Sequence, residues 1–204
     1  MKHRLLLLLL AALALVATRA LTAPPAAACV GRTLYVGALN NDEGRVMAEL
    51  LVLLINERTG TTVKIRLFDS SDQVYTALKA DAEEERVDII VENTVDGAAV
   101  LKEQTSGDAD ADYQKIKNAY DAQLALVWLP PFGFTNGKGE GARTVSAPLV
   151  RRDVLTNFPL LPRVLNKLAG AIDNPTYTEL MKNAAAGDKP KNIAKDFLRA
   201  KKFI

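Results

Sequence analysis

Residues 33–136 carry two alternating hydrophobic periods, one of two residues and one of three to four. Residues 33–37 (Thr-Leu-Tyr-Val-Gly) form a short β-branched and aromatic run that predicts a strand. Asn40 or Asn41 can cap the helix that follows, with Asp42 and Glu43 in its first turn, where the helix dipole favours negative charge. Met47, Leu50, Leu51 and Leu54 recur at helical spacing, and Gly60 is placed to end that helix. Val63, Ile65 and Leu67 then alternate with Lys64 and Arg66, which predicts a strand with one wet face. Ser70 with Gln73 is a capping-box signature for a helix bearing Val74, Tyr75 and Leu78. Residues 87–91 (Val-Asp-Ile-Ile-Val) predict a third strand, residues 92–97 a loop at its carboxyl end, and residues 98–103 a short helix. A polar, acidic loop over 105–112 leads to a helix over 113–123. The predicted order is strand, helix, strand, helix, strand, helix, helix, strand, an α/β pattern that implies a largely parallel sheet with helices on both faces.

The last of these strands is read from residues 124–129, an apolar run too short for a helix and suited to burial on both faces. Pro130 and Pro131 end it, since neither can donate to a ladder. Phe132 and Phe134 then flank Gly133 in a turn. In open α/β sheets ligands bind at the carboxyl ends of the strands, so Trp128, Phe132 and Phe134 are either the wall of a ligand site or core. Residues 137–143 read as a short flexible linker, residues 145–150 as a strand, and the remainder as helices. Asn174 and Pro175 are read as cap and first residue of one helix, and Pro190 as the opening of the last.

The N-terminus changes the picture of composition. Lys2 and Arg4 precede an apolar run over 5–16 that is too short to span a membrane, and Ala26–Ala28 provide small residues for cleavage. Residues 1–28 are therefore expected to be a secretory signal peptide, with an exported, periplasmic or extracytoplasmic domain over 29–204. Cys29, the only cysteine, follows the expected cleavage site and suggests a lipid anchor, although Ala26 stands where a lipoprotein signal usually has leucine. Residues 29–136 hold 10 Lys/Arg against 18 Asp/Glu, and residues 137–204 hold 13 against 6. The basic half has no aromatic stacking platform, and with export this argues against nucleic acid. His3 is the only histidine and lies in the expected signal peptide. A mature chain without histidine has no Ser-His-Asp or Cys-His catalysis and no His-ligated zinc. No catalytic residue, metal site or cofactor is assigned, and an enzyme is not expected.

Four segments carry a resemblance. Tyr35-Val36-Gly37 with Asn40 and Glu43, Tyr75-Thr76-Ala77-Leu78-Lys79 with Val87-Asp88-Ile89, the stretch from Trp128 to Asn136, and Ala147–Arg152 with Asn192–Leu198 resemble the substrate-binding proteins of glycine betaine/choline ABC transporters. The resemblance implies one lobe of a type II periplasmic binding-protein fold, with ligand contacts at Asn40, Glu92, Asn93, Thr94, Trp128, Phe132, Phe134 and Asn136. It also implies a quaternary ammonium or other small polar solute as ligand, and an ABC permease as partner. Members of that family have a second lobe inserted after the stretch that here ends at Asn136; the linker 137–143 stands in its place. A tyrosine of the family is Asn93 here. A lone lobe cannot close on itself, so a second copy could complete the cleft. The alternative is a non-transport scaffold that presents the former cleft to a protein partner.

Overall fold

The computed structural model describes residues 32–137 and 143–204. The expected signal peptide, Cys29 and most of the linker lie outside the described residues. In chain order the elements are β1 (Leu34–Leu39), α1 (Asp42–Thr59), β2 (Val63–Phe68), α2 (Ser71–Lys79), β3 (Ile89–Asn93), α3 (Thr94–Val100) and α4 (Ala109–Leu124). They continue with β4 (Leu126–Trp128), β5 (Thr135–Gly137), β6 (Arg143–Arg151), α5 (Arg152–Asn157), α6 (Leu161–Leu165), a 3-10 turn (Asn166–Leu168), α7 (Asn174–Ala185) and α8 (Pro190–Ala200). The expected alternation through β4 is the observed one.

The sheet runs β2-β1-β3-β6-β4, and β5 pairs with β6. β1 is parallel to both β2 and β3, with Leu34 opposite Val63 and Val36 opposite Ile89. β6 enters antiparallel between β3 and β4, with Ile89 opposite Val150 and Val127 opposite Val150. β5 and β6 also pair antiparallel, with Asn136 opposite Thr144 and Gly137 opposite Arg143, as two strands joined by so few residues must. The sheet is thus parallel from β2 through β1 to β3 and antiparallel from β3 through β6 to β4, not largely parallel throughout as expected.

Strand alternation divides the apolar side chains between two cores. Leu34 and Val36 of β1, Ile89 of β3 and Val150 of β6 pack with α1 and the C-terminal helices. Ile90 of β3 and Ala147 and Leu149 of β6 pack with α2, α3 and α4 on the opposite face. Helix α1 lies between the sheet and α6–α8, which explains burial from Val46 through Ile55 well beyond a single stripe.

Several boundaries differ from those expected. β4 has only three residues and lies at the sheet edge, because α4 runs to Leu124 and ends on Ala125 in the left-handed conformation. β3 continues through Glu92 and Asn93, and α3 starts at Thr94 where a loop was expected. Asp173, rather than Asn174, caps α7, accepting from the Thr176 N–H at 2.9 Å. Asn174 instead accepts from the Thr135 N–H at 2.7 Å and ties α7 to β5. The linker ends, Gly137 and Arg143, are strand residues. At Gly133, φ is +119° and a Cβ would come within 2.9 Å of Gly170 Cα, so the turn between the phenylalanines needs glycine.

Candidate functional site

The carboxyl ends of β1, β2 and β3 each pass into a helix within three residues, so α1, α2 and α3 begin at the same end of the sheet. The sequence caps each locally. Asn41 Oδ1 accepts from the Gly44 N–H at 2.8 Å, and Ser70 Oγ from the Gln73 N–H at 3.4 Å. Asn93 Oδ1 accepts from the N–H groups of Val95 and Asp96 at 3.1 and 2.9 Å. The β1–α1 turn is tight enough that a Cβ on Gly44 would sit 2.3 Å from the Leu39 carbonyl oxygen.

A cavity of about 150 Å³ opens among these helix starts, and its lining includes Gly37, Leu39, Glu43, Gly44, Met47, Val74, Tyr75, Glu92, Asn93, Asp96 and Ser146. Among its described lining residues Glu43, Glu92 and Asp96 are acidic and none is lysine or arginine. Tyr75 is the one aromatic ring among its described lining residues.

A buried polar chain runs inward from the cavity wall. Glu92 is 9% exposed, and its Oε1 accepts from the Asn93 N–H at 2.8 Å. Its Oε2 lies 2.9 Å from the Tyr75 hydroxyl, which lies 2.7 Å from the Tyr120 hydroxyl. Tyr120 in turn donates to the Gly97 carbonyl at 3.0 Å. Burial, followed by the neighbouring Glu92 carboxyl and Tyr120, holds the Tyr75 hydroxyl far above the ordinary phenol range. Burial also raises Tyr120, with the hydrogen bond from Tyr75 working against it. Both phenols keep their protons.

The positions implied by the resemblance fall in different places. Glu92 and Asn93 line the cavity, and Asn93, standing where the family has a tyrosine, caps α3 and donates to Asp96 Oδ2 at 2.6 Å. Asn40 is exposed and accepts from the Arg45 guanidinium, while its neighbour Asn41 lines the cavity. Thr94 is buried, 3.0 Å from Thr144 Oγ1, and locks the start of α3 to β6. Trp128 is in the α2–α4 core, edge-on to Tyr113 and Tyr120. Phe132 and Phe134 are in the other core, with Phe134 stacked on Tyr177 at 4.3 Å. Asn136 belongs to β5, its backbone paired with Thr144. None of the three rings lines the cavity.

Sequence reasoning did not select Glu43, Gly44, Tyr75, Asp96 or Ser146 as site residues. The available signal was the repeated strand–cap–helix transition at 39–44, 68–73 and 92–96, which gathers three helix starts at one end of a parallel sheet. Among the described residues no group of three or more His, Cys, Asp or Glu side chains could hold a metal ion. No described helix is long and apolar enough to cross a membrane.

No protein-family model and no curated protein matches the sequence. Solved structures share the fold, two of them as follows. One, described as a glycine betaine/carnitine/choline ABC transporter, is 16% identical with a TM-score of 0.72, the match covering 84% of this chain and 98% of the other. The other, YehZ from Escherichia coli without ligand, is 15% identical with a TM-score of 0.73, covering 85% of this chain and all of the other.

Proposed function

We propose that this chain is an extracytoplasmic solute-binding protein whose cavity at the carboxyl ends of β1 and β3 takes a small organic cation of the choline type. The observation that carries the reading is the acidic lining at the ligand-binding end of this fold: Glu43, Glu92 and Asp96 are among the described residues that line the cavity. One of the two structures likened to it is described as that of a glycine betaine/carnitine/choline transporter. A cavity of about 150 Å³ accommodates a molecule of about benzene size, which suits choline better than the larger carnitine. Glycine betaine adds a carboxylate that this lining would repel. Asn93 and Glu92 are the ligand-contacting positions retained from the resemblance, and Tyr75 supplies the one aromatic face.

Affinity is modest. Selective capture of a quaternary ammonium relies on several aromatic faces, each contributing roughly 0.5–2 kcal/mol, and here one ring is in place. A second copy of the chain would complete the cleft, and an ABC permease is the partner this reading implies. Export rests on Lys2, Arg4, the apolar run over 5–16 and the small residues before Cys29. Mass measurement of the exported protein is expected to find residues 1–28 removed; an intact Met1 in the extracytoplasmic fraction would overturn it.

Thermal shift with choline, glycine betaine and carnitine tests the ligand. Choline is expected to stabilise the protein most at equal concentration. Equal or greater stabilisation by glycine betaine would contradict the charge argument, and no shift with any of the three would overturn the reading.

A further inference from the structure

Tyr120 of α4 is fully buried and is not among the described lining residues of the cavity, yet it touches the helices that are. Its hydroxyl lies 2.7 Å from the Tyr75 hydroxyl of α2 and donates to the Gly97 carbonyl of α3 at 3.0 Å. Gly97 follows Asp96 in the chain, and Tyr75 and Asp96 both line the cavity. The Tyr75 hydroxyl also reaches Glu92 of β3 at 2.9 Å, so Tyr120 adds α3 to a wall that already joins α2 to β3. Helix α3 needs such a tie: with seven residues it is too short to be stable alone, and tertiary contacts decide where it sits. Its first residue is held by the contact between Thr94 and Thr144. At Gly97 the helix is already ending. The Leu101 N–H, which a continuing helix would turn on the Gly97 carbonyl, bonds to Ala98 instead, and the Tyr120 hydroxyl serves Gly97. The Tyr120 ring is fixed in turn by Trp128, which meets it edge-on at 5.5 Å. α3 sits so close to this pair that a Cβ on Gly97 would come within 2.8 Å of the Trp128 ring.

We infer that Tyr120 is a positioning residue for the cavity: by joining α2 to α3 through one hydroxyl, it sets how wide a cationic head group the cavity takes. The Tyr75 ring travels with α2 and Asp96 with α3, so the space between ring and carboxylate depends on what holds the two helices together. A ring attracts a cation only within about 6 Å of its centroid, so a trimethylammonium head has to be gripped closely to be held. A wall that yields loses that grip on the narrow head and admits a wider one. Tyr113, on the same helix, provides the comparison. Its hydroxyl donates to the Leu129 carbonyl at 2.9 Å, and its ring meets Trp128 edge-on at 6.2 Å. Neither Tyr113 nor Leu129 is among the described lining residues, so the loss of this hydroxyl disturbs the same core without freeing the cavity wall. The choice of a choline-type ligand rests on the functional reading above; the tie between α2 and α3 does not.

The test is isothermal titration of the wild type, Tyr120→Phe and Tyr113→Phe with choline and with its triethyl analogue, which has the same tail and a wider head. The wild type is expected to bind choline at least about tenfold more tightly than the analogue, the least that one misfitting methylene costs in a closed pocket. In Tyr120→Phe that ratio is expected to shrink by about two- to tenfold, the factor carried by one hydrogen bond. Tyr113→Phe is expected to lose comparable stability in denaturant and to keep the wild-type ratio. An unchanged ratio in Tyr120→Phe, or an equal change in Tyr113→Phe, overturns the inference and leaves choline binding as a separate result. The wild-type comparison needs no variant: if the triethyl analogue binds as well as choline there is no width limit, and the inference fails even where Tyr120→Phe does not fold. No binding of either cation to the wild type overturns the inference and the functional reading together.

Discussion

Phe134 shows why single residues at a strand end are hard to read from sequence. An aromatic ring beside a Gly turn can wall a ligand site or close a core, and the local pattern is the same for both. What decides it is Tyr177, 43 positions further on in α7, which stacks on Phe134 at 4.3 Å. Phe134→Ala should therefore cost about 3–5 kcal/mol in denaturant unfolding, as large-to-small changes in a filled core do. It should leave choline affinity of the folded protein unchanged. A variant of wild-type stability with lost choline binding would return Phe134 to the ligand wall. Trp128 is a similar case: its ring packs on the Tyr113 and Tyr120 edges contributed by α4. Glu92 was visible as a candidate through the resemblance, but its tyrosine partners sit 17 and 28 positions away, and only the fold brings them to one carboxyl.

At the scale of elements the sequence was most informative where a cap and an apolar stripe agreed. The α1 start at Asn41 and its end at Gly60, the Ser70 cap of α2 and the Pro190 opening of α8 all follow from local chemistry. The misreadings occur where one residue serves two elements. Asn93 is both the last residue of β3 and the cap of α3, so a polar Glu-Asn-Thr run looks like loop. The α4 start was missed for a different reason: its anchoring carboxylate is inside the helix. Asp112 Oδ1 accepts from the Ser106 N–H and hydroxyl, and Oδ2 from the Gly107 N–H at 3.1 Å, which folds the preceding loop back onto the first turn. Burial pushes its acidity down, but these donors outweigh burial and hold its pKa below the ordinary aspartate value. A lowered folded pKa means that Asp112 stabilises the protein above its unfolded pKa of about 3.9, and that this contribution is lost as pH falls through the folded value. Asp112→Asn should thus be less stable than wild type at neutral pH, with the gap closing in acid. A gap that stays constant from pH 7 to pH 2 would contradict the assignment.

On the scale of the whole molecule, the α/β alternation gave the layers and the succession of elements along the chain through β4, because each predicted element is local. The antiparallel entry of β6 between β3 and β4 was not legible as a direction. It depends on pairings between residues about 60 apart, such as Ile89 with Val150. That insertion also makes β6 contribute to both cores, with Val150 on one face and Leu149 on the other. Unfolding of residues 33–204 should consequently be one cooperative transition, seen alike by far-ultraviolet circular dichroism and by fluorescence of Trp128, the only tryptophan. Separate transitions for the two probes, or release of a stable C-terminal fragment by cleavage near 137–143, would contradict it.

The central claim is that a small cation binds among the three helix starts, and amide chemical-shift mapping during a choline titration tests it most directly. The account predicts saturable shifts confined to the neighbourhoods of Leu39–Gly44, Ser71–Tyr75 and Glu92–Asp96, with the amides of Phe132 and Phe134 unmoved. Saturable shifts centred on the Phe132–Phe134 turn, or no saturable shifts at all, would contradict it.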